Sequence, residues 1–445
     1  MAPDLVIRNG TLVSSSGRRR ADVAIADGQI SEIAATIDAA GVGDVIDATD
    51  QFVLPGLIDG HVHFREPGLE HEETWLTGSR AAVMGGITTV LDMPNTVPPT
   101  DTADRARAKL ALAARSAYCD FGIFGLVGES LDPLPELANS GLVVGLKVFM
   151  GPTTGGLRAP DDDGLRSALA IARQAALRVA FHAEEREMIE GFETALRESG
   201  RTDPLAHLEA REASEATAIA HIGGLLVQTR AAGHILHLST QAGMEFVDQL
   251  RTALDLTSEV TPHHLLLERD VYATAGGVAR VNPPIRGGED AAALRAALAD
   301  GHIDMVATDH APHLADEKRR ASIWDVPSGF AGVETMLSLL LTRGVHEGWM
   351  SLERLVAVTS EAPARIWGLS QKGRVEPGAD ADLTIIDLDK PGTISAATLH
   401  GLNNLSPFEG WSTRGAAVTT IVRGRPVVRD GALVGEPGWG ANVIR

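Results

Sequence analysis

One cysteine, Cys119, is all that 445 residues contain. That excludes an intrachain disulfide framework and a zinc site built on thiolates. It also fits a reducing compartment. Basic residues are in deficit: 39 Lys and Arg stand against 59 Asp and Glu, a net charge of −20. Nucleic acids and anionic membrane surfaces select basic faces, so neither is an expected partner. An anionic small molecule stays allowed, because a few local cations suffice to hold one. No apolar run reaches the roughly eighteen residues that suggest a membrane span. The opening MAPDLVIRNG carries Asp4 and Arg8 where a secretory leader needs apolar residues. A cytoplasmic protein is therefore expected. Low-complexity segments and short-period repeats are lacking too.

What the chain does have is length and alternation. Its size suits a barrel of roughly 250–300 residues plus a smaller domain. The first fifty or so residues read as strands and tight turns. Asn9-Gly10, between Leu5-Val6-Ile7 and Thr11-Leu12-Val13, signals a hairpin. Asp27-Gly28, between Val23/Ile25 and Ile30/Ile33, signals a second. Near the other end, strands at 383–387, 417–422 and 426–429 repeat the style, the last two around a turn at Gly424. Between these ends, strands are expected at 88–92, 143–149, 178–182, 234–238, 258–261 and 303–308. Helices are expected at 104–117, 164–177, 243–254 and 289–299. Such alternation implies parallel strands joined by right-handed crossovers, as in a (β/α)8 TIM barrel. The expected division is residues 55–365 as barrel, with 1–54 and 366–445 forming one β-sandwich domain. Neither chain end could bury its apolar face alone.

The chemistry-bearing residues fall at the ends of those strands, where such barrels place their sites. In Asp59-Gly60-His61-Val62-His63-Phe64-Arg65, residues two apart on a strand face one side. His61 and His63 thus point into one space, which suits a divalent ion such as Zn²⁺. Lys147, His182, His237 and Asp309 follow at later strand ends. A lysine inside an apolar strand is costly unless neutralised or paired. His71, His207, His221, His302, His346 and His400 have no such context. His263 and His264 read as supports behind the ligands.

With these motifs in place, the chain resembles the cyclic amidohydrolases of the amidohydrolase superfamily, and within them the dihydroorotases. The resemblance spans nearly the whole chain. It runs through residues 55–68, 93–96, 259–264, 281–286, 308–313, 332–335 and 406–411. It implies that His61, His63 and Asp309 hold one Zn²⁺ and that His182 and His237 hold a second. Lys147, carrying a carboxylate derived from CO2, would bridge the two. Some members instead use an aspartate shortly after that strand. Here Gly151-Pro152-Thr153-Thr154 offers no carboxylate, and Asp161, Asp162 and Asp163 read as loop residues. The resemblance also makes Asp309 the proton carrier.

An anionic cyclic amide needs a cation in its pocket. Arg65, two residues beyond His63, can form a fork to a carboxylate. Asn95 and His313 would add donors to that carboxylate. His63, Asn282 and the backbone of Ser328 and Gly329 would complete the substrate contacts. The segment 314–327 reads as a loop over the pocket. The activity implied is reversible hydrolysis of (S)-dihydroorotate to N-carbamoyl-L-aspartate in pyrimidine biosynthesis. An allantoinase- or hydantoinase-type enzyme is the alternative. A catalytically silent scaffold is disfavoured, because all six expected ligand positions are filled. A homodimer or homotetramer is common among such enzymes.

Overall fold

Residues 3–153 and 155–444 are described by the computed structural model; Thr154, in the stretch without carboxylates, lies outside them. Eight parallel strands pair in chain order: Leu57–Val62, Ile87–Asp92, Asp120–Leu126, Gly145–Phe149, Val179–His182, Gly233–Ile235, Leu256–Val260 and Met305–Val306. A bridge between Val62 and His310, with a 2.8 Å bond from His63 N to His310 O, joins the chain beyond the last strand back to the first. The sheet is thus a (β/α)8 barrel. Phe124, His234 and Trp367 pack ring against ring beneath it. Gly60 is required there, since a Cβ would lie 2.6 Å from Met305 Cε and 3.0 Å from Trp367 Nε1.

Four crossover helices start at side-chain caps. Thr74, Thr102, Asp161 and Thr240 each accept a backbone N–H from three residues on. Such a cap contributes about 1 kcal/mol. Asp161 is thus a helix cap, and Asp162 and Asp163 open the helix Asp162–Gln174 rather than lying in a loop. The carboxylates gain from the helix dipole, which draws the first turn further N-terminal than the apolar pattern alone does. The segment 314–327 contains two short helices, Ala315–Lys318 and Ile323–Asp325.

Both chain ends build the second domain. One sheet runs Gln29–Ala34, Asp22–Ala26, Leu5–Arg8, Asp44–Asp47. The other runs Ala432–Leu433, Arg425–Arg429, Ser412–Val422, Leu383–Thr393, Phe52–Pro55, Thr11–Ser14, Gly17–Arg20. Ile7, Val23 and Ile25 bury against Leu383, Ile385 and Ile421 in one apolar cluster. The hairpins at Asp27-Gly28 and Gly424 are present. The one at Asn9-Gly10 is not. Leu5–Arg8 pairs with Asp22–Ala26 and Asp44–Asp47, while Thr11–Ser14 pairs with Gly17–Arg20 and Phe52–Pro55. A type I′ turn needs positive φ at both central residues, and only Asn9 has it, at 63°. Gly10 instead permits close approach: a Cβ would sit 2.7 Å from Val53 Cγ2. The turn carries the chain from one sheet to the other.

A buried charge network bolts the domains together. Lys372 Nζ lies 2.5 Å from Asp382 and 3.1 Å from Asp380, and also contacts Asp120 on the third barrel strand. Removing one partner of a buried ionic set leaves the others uncompensated, at about 3–5 kcal/mol. Lys372→Met is expected to lower unfolding free energy by about that amount in urea titration. Unchanged stability would show the network to be neutral. Among the described residues no helix is long and apolar enough to cross a membrane.

Candidate metal centre

The C-terminal ends of the barrel strands converge on one cavity. Its lining includes His61, His63, Arg65, Asn95, Lys147, His182, His237, Asn282, Asp309, Ser328 and Gly329. His313 stands directly behind, with Nε2 3.1 Å from Arg65 Nη2. Larger grooves of about 830 and 860 Å³ lie elsewhere, and neither is lined by a histidine. The cavity itself is about 30 Å³, on the order of one or two waters. Asn282 ties its walls together. Its Nδ2 donates to Pro152 O at 3.2 Å, and its Oδ1 accepts from Ser328 Oγ at 3.0 Å.

Three residues of the site adopt left-handed backbone: Arg65 (φ 63°), His237 (37°) and Asp309 (50°). Each follows a barrel strand closely. Non-glycine residues held there cost on the order of 1–3 kcal/mol, and surrounding structure must enforce them. Asp59 supplies some of that structure. It accepts from Thr308 N at 3.0 Å and His61 N at 3.2 Å, pinning the first strand to the segment before Asp309. Burial raises its carboxyl to about 6 against those bonds.

The nitrogens divide into two groups. His61 Nε2 and His63 Nε2 lie 3.2 and 3.0 Å from Asp309 Oδ1. Their other nitrogens are occupied: His61 Nδ1 bonds Glu259 Oε1 at 2.6 Å, and His63 Nδ1 bonds Asn95 Oδ1 at 2.6 Å. Both rings thus donate from Nδ1 and turn a bare Nε2 toward Asp309. Burial pushes His63 down to about 3, which keeps it neutral and able to ligate. Burial alone would raise the Asp309 carboxyl. The neighbouring His61, His63 and His237 rings outweigh it and hold Asp309 well below the usual range.

His182 and His237 form the second group. His182 Nε2 donates to Glu184 Oε2 at 2.8 Å, which leaves Nδ1 bare, 2.9 Å from His237 Nε2. His237 Nδ1 has no hydrogen-bond partner among the described residues. Glu184 is itself gripped by Arg211. Burial would raise it, but Arg211 and His182 bring it to about 2. Lys147 Nζ lies between the groups in electrostatic terms, feeling Asp309 and Glu259. It is fully buried and lacks a hydrogen-bond partner among the described residues. Burial lowers it to about 7.

These observations fit a pair of divalent ions. His61, His63 and Asp309 form a ready three-ligand group. His182 Nδ1 and His237 Nε2 have only each other, 2.9 Å apart, while His237 Nδ1 and the buried Lys147 amine have no hydrogen-bond partner among the described residues, so polar atoms here are left for further groups to satisfy. Three carboxylates escaped notice as partners in the sequence. Glu72, Glu184 and Glu259 are acidic residues buried near histidines, and burial of a carboxylate is the signal that implies a partner. His264 bonds Thr261 Oγ1 and Pro283 O, so it supports the turn bearing Asn282 rather than a ligand.

A model of the amidohydrolase family matches residues 52–427. The dihydroorotase of Methanothermobacter thermautotrophicus is 40% identical over 418 residues, covering 93% of this chain and 92% of that protein. The allantoinase of Rubrobacter xylanophilus is 36% identical, covering 98% and 96%. The solved structure of the L-hydantoinase (dihydropyrimidinase) from Arthrobacter aurescens superposes with a TM-score of 0.95 at 32% identity, covering 98% of this chain and 99% of that one. With likeness along nearly its whole length and strand ends furnished as described, the chain belongs to the amidohydrolase family, among its hydrolases of cyclic amides.

Proposed function

We propose that this protein is a dihydroorotase, hydrolysing (S)-dihydroorotate reversibly to N-carbamoyl-L-aspartate in the cytoplasmic synthesis of pyrimidines. The observation that carries this reading is Arg65. Its buried guanidinium lines the same cavity as the ligand set, where a substrate carboxylate needs a fork. Two Zn²⁺ held by His61, His63, Asp309, His182, His237 and carboxylated Lys147 would supply Lewis acidity and a hydroxide nucleophile at neutral pH. Asp309 takes the proton from the nucleophile and passes it to the leaving ring nitrogen. Arg65 and Asn95 orient the carboxylate, and Asn282 and Ser328, bonded to each other, form the facing wall of the cavity.

One observation favours an allantoinase- or hydantoinase-type reading: Arg65 already faces an acid, Glu72, at 3.0 Å. Turnover of dihydroorotate, allantoin and hydantoin by the zinc-loaded protein separates the two. Dihydroorotate is expected to be opened with the highest kcat/KM. Activity on hydantoin or allantoin with none on dihydroorotate would overturn the proposal. Arg65→Lys keeps the charge and loses the fork. It is expected to lower kcat/KM for dihydroorotate by about 10–100-fold, with little effect on hydantoin. An equal loss on both substrates would show that Arg65 only supports the fold.

A further inference from the structure

Behind Arg65 lies a closed triangle of buried groups. Glu72 Oε2 is 3.0 Å from Arg65 Nε. Glu72 Oε1 is 3.0 Å from His313 Nδ1. His313 Nε2 is 3.1 Å from Arg65 Nη2 and 3.0 Å from Ser328 O. Arg65, His313 and Glu72 are each less than a tenth exposed. Arg65 lines the ligand cavity, whereas Glu72 and His313 are outside its lining.

A neutral imidazole has one donor and one acceptor, and the triangle decides which nitrogen is which. Burial and the neighbouring Arg65 both lower His313, so the ring is neutral at physiological pH. With the proton on Nδ1, the ring donates to the Glu72 carboxylate and its bare Nε2 accepts from Arg65. Both bonds involve an ionised partner, which makes them the stronger kind. The cost is one carbonyl, Ser328 O, facing a lone pair. With the proton on Nε2, only Ser328 O is satisfied. A lone pair would then oppose the Glu72 carboxylate, and an N–H would oppose the Arg65 guanidinium. Two charge-assisted bonds outweigh one neutral bond.

We propose that Glu72 is a positioning residue for substrate recognition: it fixes His313 as an acceptor, and with it clamps Arg65 from behind. The donor role expected of His313 toward the substrate then passes to Arg65. Its Nε side faces Glu72 as an ion pair without a hydrogen bond, and one Nη2 hydrogen is taken by His313 Nε2. Nη1 and the remaining Nη2 hydrogen form the edge available to a carboxylate. Glu72 never touches the substrate; it sets the plane in which the fork is presented. This rests on the proposal that the substrate is an anionic cyclic amide.

Two measurements test it. The first reads the His313 tautomer in zinc-loaded wild-type protein by NMR of its ring nitrogens, with the signal assigned by its loss in His313→Asn. A protonated Nδ1 and bare Nε2 are expected. A protonated Nε2 overturns the proposal, whichever cyclic amide is the substrate. The second is a kinetic split in Glu72→Gln, where an amide NH2 or a lost charge faces Arg65. KM for dihydroorotate is expected to rise about 10-fold or more with kcat nearly unchanged. KM for hydantoin, which has no carboxylate, is expected to stay put, and Glu72→Asp to recover part of the loss. Parallel loss of kcat on both substrates would reduce Glu72 to a purely structural role. If the wild type does not open dihydroorotate at all, the functional reading fails, and the tautomer still decides the role of Glu72.

Discussion

An Asp309→Asn enzyme is expected to lose turnover by about 10²–10⁴-fold, in ring opening and ring closure alike. Asparagine matches aspartate in size and can occupy the same place opposite His61 and His63, which lie 3.2 and 3.0 Å from Asp309 Oδ1. What it cannot do is take up a proton and release it again. On the proposed mechanism, hydrolysis needs Asp309 ionised. With its carboxyl held well below the usual range, that form persists as pH falls through the ordinary carboxyl region. Ring closure starts from the protonated form, whose fraction grows as pH falls. The closing direction is therefore expected to be favoured at lower pH in the wild type. Steady-state rates from both sides of the equilibrium, with zinc content measured on the same preparations, check this. Full zinc with lost turnover identifies proton transfer as the missing step. Substantial retained activity would remove Asp309 from the chemistry.

Much of this centre was legible because its residues are chemically improbable where they stand. Histidine, lysine and aspartate at the ends of apolar runs must be satisfied by something, and strand periodicity aims His61 and His63 together. The supporting carboxylates were not legible in the same way. His61 and Glu259 are 198 residues apart, and no local pattern joins them. Only closure of the barrel brings Glu259 beneath His61, or Glu72 beside His313. The barrel itself was read from its alternation, yet one strand escaped. Asp120–Leu126 is buried at every position and contains Gly122 and Gly125, so neither a two-residue alternation nor a β-branched run marks it. The helices at Arg186–Glu198, Pro204–Ala210 and Ser214–Thr229 were passed over as well. Ser214–Thr229 is the clearest case, with Ile219, Ile222, Leu225 and Leu226 buried and little polar contrast to mark a face.

Lys147→Met is expected to cost more than about 100-fold in kcat, since even groups one step removed from a metal are worth 10–100-fold. Lys147 Nζ is fully buried, 4.5 Å from the centroid of the Phe149 ring, with no hydrogen-bond partner among the described residues. Burial brings it to about 7 although Asp309 and Glu259 oppose the shift. A large share of the amine is therefore unprotonated at neutral pH, the form that can add CO2. The product would be an anion close to Asp309 and Glu259. Three carboxylates in one dry pocket repel one another unless cations are present. Carboxylation of Lys147 and metal binding must therefore support each other. Chelated wild-type protein should regain activity only when zinc and bicarbonate are supplied together, and its intact mass should rise by one CO2. The methionine variant should fold with undiminished stability when metal-free, because it exchanges an unsatisfied buried amine for an apolar group of similar length. It should nonetheless bind less zinc than the wild type under identical loading. A methionine variant with full zinc and full activity would show that Lys147 is a buried lysine and nothing more.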